Sequence, residues 1–205
     1  IVQKYGADTL RLYEMFVGPF GEPVAWTLLG IKGCYRFLQR CWQLKEKIGN
    51  PERKNGQIGK LINKTIKKVS EDIENFKFNT AVSSLMILVN EMEKQKQIGL
   101  QDYKSLLSLM APFAPHLTEQ LWQELKESST SLKEFQIKDS IHSQPWQKYN
   151  PKLIKEEIIT LIIQVNGKVR DKIEAEVDIA EKEARKLASN REKVKKWIQG
   201  KEIKK

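Results

Sequence analysis

The sequence predicts a mainly α-helical protein, an antiparallel helical bundle followed by a small α+β domain with a β-hairpin. Up to about residue 127, apolar side chains recur every three or four residues in successive segments joined by short breaks, which is typical of helices packed on helices. After residue 155, a β-branched run, an Asn-Gly pair and an alternating segment follow one another, which is the pattern of a hairpin. We therefore expect a bundle over 1–127, a linker or packed strap over 128–154, and a small C-terminal domain over 155–205.

Six helical segments account for the bundle. The spacing predicts them at residues 7–17, 23–48, 57–75, 78–96 and 103–112 and from Pro115 onward, with Gly18-Pro19 ending the first helix and a polar loop over 49–56. In the second helix, Gly30 and Gly33 each weaken the helix by about 1 kcal/mol relative to Ala, unless a closely packed neighbour uses the space.

The strap and the small domain have different patterns. The aromatic residues Phe135, Trp146 and Tyr149 favour a packed strap over a free linker. In the small domain we expect strands at 158–165 and 168–177 around the turn Asn166-Gly167. Two helical segments follow, at 179–189 and 191–198, and residues 200–205 begin a further strand that is cut off, so the domain is expected to be truncated.

Composition excludes several classes of protein. The chain has 205 residues, 40% of them hydrophobic, which suits a globular protein rather than a disordered one. It has neither a run of 18 apolar residues nor a signal peptide, so we expect a cytoplasmic protein without membrane contact. Cys34 and Cys41 lie about 10 Å apart on one helix face, too far for a disulfide, and are expected to be buried thiols of a reducing compartment.

Charge points to an anionic partner. Lys and Arg number 36 against 26 Asp and Glu, a net charge of +10. Residues 185–205 carry nine basic and two acidic side chains, a net charge of +7, and other basic residues form stripes on predicted helices. Because the excess is spread over two regions, structured RNA is the leading candidate. The candidate contact residues are Arg36, Arg40, Lys60, Lys64, Lys67, Lys68, Lys168, Arg170, Lys186, Arg191, Lys195 and Lys196.

Catalytic and cofactor motifs are missing from the sequence. It contains no GxxxxGK[ST] motif and no GxGxxG motif after a strand, and its two histidines do not suggest a metal site. We expect His116 to bond free backbone groups where a helix restarts, and His142 to have no specific role. The carboxylates Glu71, Asp72 and Glu74 are expected on a solvated helix face. The chain therefore predicts no catalytic residue, no metal and no cofactor of its own.

Several segments resemble a known family. KYGADTLRLY at 4–13, Gly-Pro at 18–19 and PVAW at 23–26 resemble the segment after the catalytic core of class I aminoacyl-tRNA synthetases of the leucyl type. TIKKV at 65–69, FNTAV at 78–82, LMAPFAPHL at 109–117 and Pro-Trp at 145–146 are similar to landmarks of that family's tRNA-binding bundle. QVNGKVRDK at 164–172 resembles the hairpin of the bacterial leucyl C-terminal domain. Valyl and isoleucyl enzymes share the early motifs, but the hairpin favours the leucyl type.

The resemblance implies part of a larger enzyme. The family's ATP-site signatures, His-Ile-Gly-His and Lys-Met-Ser-Lys-Ser, and its editing domain are missing from this sequence, and the second signature would stand just before Ile1. The implied partners are tRNA(Leu) and the catalytic and editing domains, in the same enzyme or in a separate subunit. ATP with magnesium would serve the parent leucine-tRNA ligase, and this chain alone should not activate leucine. By resemblance, the bundle lies along the inner side of the tRNA stem and the small domain meets its outer corner.

Two other functions remain open. A freestanding RNA-binding module would bind structured RNA without preference and would not affect leucylation. A protein-docking helical domain would bind another chain and ignore RNA.

Overall fold

The structure is a computed structural model that describes residues 1–19, 21–49, 56–128, 140–154, 158–176 and 179–198. The chain divides into two compact units, residues 1–154 and 155–205. The described helices of the first unit are α1 (Val2–Tyr5), α2 (Ala7–Phe16), α3 (Leu28–Gln43), α4 (Gly56–Glu74), α5 (Phe78–Glu93), α6 (Leu100–Met110), α7 (Pro115–Ser128) and α8 (Pro151–Ile154). The short strands β1 (Ile48–Gly49) and β2 (Ile98–Gly99) pair in parallel, with Ile48 opposite Ile98.

Helix α5 is the centre of the bundle. Its buried side chains repeat at helical spacing and are fully shielded from solvent; they are Ala81, Val82, Leu85, Leu88, Val89 and Met92. The helix packs against α2, α3, α4 and α6. Because its apolar stripe is wide, neighbours on several sides are needed to cover it, and this burial is the main source of stability. The mainly helical fold predicted from the sequence is therefore confirmed.

The prediction of the second helix, at residues 23–48, is wrong at both ends. Residues 23–27 are not helical, and α3 begins only at Leu28. Thr27 is extended and is the N-cap, because its Oγ1 accepts a hydrogen bond from the Gly30 amide, while its own amide donates to the Tyr13 hydroxyl at 2.8 Å. At the other end, α3 gives way to a 3-10 turn over Leu44–Lys47 and then to β1.

Gly30 is needed for close packing between α2 and α3. A Cβ atom at this position would lie 2.5 Å from the Tyr13 ring. The space left by the glycine is therefore used by Tyr13, which offsets the low helix propensity of this residue. Gly33 shows no such contact, since a Cβ there would meet nothing within 4 Å.

The second unit contains the expected hairpin. Strands β3 (Ile158–Val165) and β4 (Lys168–Glu176) are antiparallel, with Val165 opposite Lys168 and a register shift between Ile163 and Gln164. Asn166 and Gly167 both have positive φ, 54° and 73°, as a two-residue type I′ turn requires. Helices α9 (Glu181–Asn190) and α10 (Glu192–Ile198) follow.

Helix α10 covers the hairpin. It packs against both strands and buries Val194, while Ile173 and Ala175 of β4 are also buried. Since an isolated hairpin is marginal in water, this helix supplies the apolar cover that the strands need. The predicted strand at 200–205, Phe135 of the strap and most of the predicted loop over 49–56 lie outside the described residues.

Replacing Leu88 by Ala should lower the free energy of unfolding by about 2 to 5 kcal/mol, because the change leaves a cavity in the core of the bundle. Ile87→Ala is the matched control on the same helix, since Ile87 is 54% exposed and its loss should change the free energy by less than about 0.5 kcal/mol. Urea unfolding followed by circular dichroism measures both values. Equal effects of the two substitutions would show that α5 is not central.

Candidate nucleic-acid interface

The outer face of α4 carries four of the candidate lysines. Ile58, Ile62, Ile66 and Val69 are buried on the inner face of the helix. Lys60, Lys64, Lys67 and Lys68 follow at helical spacing on the other side, where they are exposed or half-buried. The structure therefore brings these four side chains together along one helix, as the periodicity indicated.

Lys67 and Lys68 have carboxylate partners on the same helix. The Nζ of Lys68 lies 2.5 Å from Asp72 Oδ1, and the Nζ of Lys67 lies 3.9 Å from Glu71 Oε1. Asp72 also accepts a hydrogen bond from Thr80 and is only 3% exposed. The expectation that Asp72 lies on a solvated face is therefore wrong, because the helix turns this carboxylate toward α5. Lys60 makes no ion pair within the described part of the chain.

The two candidate arginines of α3 differ in environment. Arg36 is exposed, and its Nε donates to the Lys32 carbonyl one turn earlier. Arg40 reaches across to α5, where its guanidinium forms an ion pair with Glu93 and a hydrogen bond with Asn90. The hydrogen bond from Arg40, opposed by partial burial, lowers the pKa of Glu93. Arg40 therefore links two helices and is less available to an external anion than Arg36.

In the second unit, two candidate arginines are held by their own neighbours. The Nε of Arg191, the residue between α9 and α10, donates to Asp171 Oδ2 at 2.9 Å, which ties this junction to β4. The guanidinium of Arg170 lies 3.5 Å from the centre of the Trp197 ring, a cation–π stack that also ties β4 to α10. The Arg170 Nε is buried and has no hydrogen-bond partner within the described residues.

The remaining candidates of the second unit are exposed. Lys168 lies beside the hairpin turn, Lys186 lies on α9, and Lys195 and Lys196 lie together on α10. None of these four side chains forms an ion pair with another described residue. Because these lysines are exposed, an external anion can reach their ammonium groups, whereas the two arginines contribute first to the packing of the unit.

Asp8 and His116 form a pair that the sequence analysis missed. The Nδ1 of His116 lies 2.8 Å from Asp8 Oδ1, although the two residues are 108 positions apart. The Leu117 amide donates to the other Asp8 oxygen at 2.6 Å, so Asp8 caps the start of α7. The expectation that His116 itself bonds the free backbone groups is therefore wrong in detail. The carboxylate does so, and the exposed imidazole bonds the carboxylate.

His142, Cys34 and Cys41 are the other side chains that could take part in catalysis, and each lies in an environment that suits a structural role. His142 lies near the same helix start, with its Nε2 atom 3.2 Å from the Pro115 carbonyl oxygen. Burial raises the pKa of the Cys34 thiol to about 11 and also raises the pKa of Cys41, so both thiols stay protonated at neutral pH.

The described residues contain no cluster of three His, Cys, Asp or Glu side chains that could hold a metal ion. No described helix is long and apolar enough to span a membrane.

A family model matches most of the chain. The model described as the anticodon-binding domain of tRNA ligase matches residues 57–185. This range begins with α4, includes residues 140–154 and the hairpin, and ends within α9.

Similar proteins point to one type of ligase. The leucine–tRNA ligase of Borrelia turicatae (strain 91E135) is 41% identical over 203 residues, which is 99% of this chain and 23% of that protein. The leucine–tRNA ligase of Borrelia hermsii (strain HS1 / DAH) is 40% identical over the same shares. The chain therefore spans less than a quarter of the length of these relatives.

A solved structure has the same fold. The crystal structure of the ternary complex of Agrobacterium radiobacter K84 agnB2 LeuRS-tRNA-LeuAMS matches with a TM-score of 0.77 and 24% identity. The match covers 100% of this chain and 28% of that one.

The Arg191 hydrogen bond, together with that from the Lys172 amide, lowers the pKa of Asp171. Because the folded pKa lies below the unfolded value of about 3.9, the pair stabilises the fold above that pH, and the stabilisation is lost as the pH falls through the folded pKa. In Arg191→Gln, the pKa of Asp171 measured by carboxyl NMR titration should rise.

Arg185→Gln is the matched control, because Arg185 pairs with Glu181 and not with Asp171. An Asp171 pKa that responds equally to both substitutions would contradict the assigned cause.

Proposed function

Because the chain belongs to the anticodon-binding domain family of tRNA ligases, we propose that it binds tRNA as part of a leucine–tRNA ligase. The leucine type is supported by the two Borrelia relatives. Both are leucine–tRNA ligases, and their alignments cover 99% of this chain. The hairpin segment QVNGKVRDK supports the same specificity over the valyl and isoleucyl types. The proposed partner is tRNA(Leu).

The observation that carries the proposal is the exposed cationic surface in both units. Lys60 on α4 and Lys195 and Lys196 on α10 are available to an anion, and none forms an ion pair with a described residue. A-form RNA is recognised mainly through its phosphates, 2′-hydroxyl groups and shape, and lysines on helix faces suit this kind of contact.

The proposed role in the ligase reaction is positioning. The parent enzyme would join leucine to ATP, with magnesium, and then transfer it to the 3′ end of the tRNA, on catalytic domains in the same enzyme or in a separate subunit. This chain would hold the body of the tRNA and so fix where that end lies. Correct placement of a reactant can lower a barrier by several kcal/mol without bond chemistry by the residues that hold it.

The direct test is the affinity of the 205-residue chain for leucine tRNA and for a tRNA with a short variable arm, each at about 50 and 200 mM salt. The proposal expects tighter binding of leucine tRNA and an affinity that falls steeply with salt, because phosphate contacts release counterions. Equal weak binding of both RNAs would favour a general RNA-binding module. Absence of binding at low salt would contradict the proposal and favour a protein-docking domain.

Replacing Lys195 and Lys196 together by Ala should weaken tRNA binding about tenfold and lower the slope of log affinity against log salt by about 2, since each phosphate-binding lysine contributes about 1. Filter binding over a salt series measures both quantities. Lys4→Ala with Lys126→Ala is the matched control, because these exposed lysines lie on α1 and α7 and the net charge change is the same. If this control weakened binding as much, the effect would come from net charge and not from α10.

A further inference from the structure

The strap segment 140–154 lies along α4. It is beside the outer face of this helix, called here the lysine face, which carries Lys60, Lys64, Lys67 and Lys68. The Trp146 indole donates to the Ser70 hydroxyl at 2.8 Å. The backbone amide of Asn150 donates to the Asn63 side-chain oxygen at 2.7 Å. Since the higher strap number meets the lower helix number, the strap runs antiparallel to α4. The seven residues from Asn63 to Ser70 correspond to about 10 Å along the helix axis.

The same segment contacts the lysine face itself. The Nζ of Lys67 lies 5.9 Å from the centre of the Tyr149 ring. Asn63, Lys67 and Ser70 follow at intervals of four and three residues, so they form one stripe of α4. The strap is therefore held against the edge of the surface that carries the candidate lysines.

The strap and the first four turns of α4 carry no carboxylates, whereas the last turn of α4 carries Glu71, Asp72 and Glu74, and Glu74 lines a cavity with Trp146. Residues 56–70 contain four lysines and no Asp or Glu, and residues 140–154 contain Lys148 and Lys152 and again no Asp or Glu. Lys148 and Lys152 are exposed, and neither forms an ion pair with a described residue. The strap thus adds two exposed lysines along α4, whereas Lys67 and Lys68 have the carboxylates of Glu71 and Asp72 nearby.

We propose that the strap and α4 together form one phosphate-binding surface for a double-helical stem of the tRNA, in which Lys148 and Lys152 contact the RNA backbone. This inference rests on the proposed function. It adds the strap, with Lys148 and Lys152, to the lysines of α4 as a part of the chain that contacts RNA. Trp146 and Asn150 act as positioning residues, because their hydrogen bonds hold the strap in place.

The arrangement suits a polyanion better than a small anion. The candidate lysines follow one another along the outer face of α4 and along the strap, half-buried or exposed, instead of converging on a buried polar site. Double-stranded DNA carries about one phosphate charge per 1.7 Å of axis over its two strands, and an RNA duplex is likewise a dense polyanion. A stretch of about 10 Å therefore carries several phosphates, and those on the side that faces the protein can be contacted. Several lysines in a row can therefore be used at once.

The experiment compares Lys148→Ala with Lys152→Ala, made together, against the unchanged 205-residue chain and the Lys4→Ala, Lys126→Ala control. The probe is a leucine tRNA transcript in filter binding over a salt series. We expect about tenfold weaker binding at 0.1 M salt and a salt slope lower by about 2, with the control unchanged. Because both strap lysines are exposed, the thermal unfolding midpoint should not change, and this measurement separates lost contact from lost fold.

The outcomes separate this inference from the function on which it rests. If the unchanged chain binds tRNA and the strap variant binds equally well with the same salt slope, the strap contact is wrong and the proposed function stands. If the strap variant and the control weaken binding equally, the strap contact is also wrong, because only net charge matters. If the unchanged chain does not bind the tRNA at any salt concentration, both the function and the strap contact are wrong.

Discussion

The burial of α5 is the constraint on which the rest of the first unit depends. Its buried stripe can be covered only from several sides at once, and α2, α3, α4 and α6 take those positions. Each of these helices must therefore turn its apolar face inward and its polar face outward. The lysine face of α4 and the exposed Arg36 of α3 are consequences of this packing, so the core that stabilises the unit also determines which cations face solvent.

Ion pairing then divides the cations into two groups. Arg40 pairs with Glu93 between α3 and α5, and Arg191, just before α10, pairs with Asp171 of β4, so both link elements of their own unit. Each pair reduces the charge that its arginine can offer to a partner. The lysines without carboxylate partners, on α4, the strap and α10, are the ones on which tRNA binding is proposed to depend.

Much of the fold follows from the sequence, because helical and strand periodicities reflect burial directly. The lysine face of α4 and the turn at Asn166-Gly167 are as predicted, since each depends on residues close together in the chain. The start of α3 and the capping of α7 were not predicted. The Thr27 side chain capping the Gly30 amide is a local signal that was open to sequence reasoning. The hydrogen bonds from the Thr27 amide to Tyr13 and from the Leu117 amide to Asp8 join distant residues, and one sequence cannot show such pairings. For the same reason the partners of Arg40 and the position of the strap on α4 became visible only in the structure.

Hydrogen exchange of the 205-residue chain, with and without leucine tRNA, shows directly whether tRNA covers these particular cationic surfaces. We expect slower amide exchange on tRNA binding in α4, residues 140–154 and α10. The core amides of α5 should be slowed only as far as tRNA binding stabilises the whole fold, without additional local protection. Protection limited to other elements, or no protection at a tRNA concentration that saturates binding, would contradict the account.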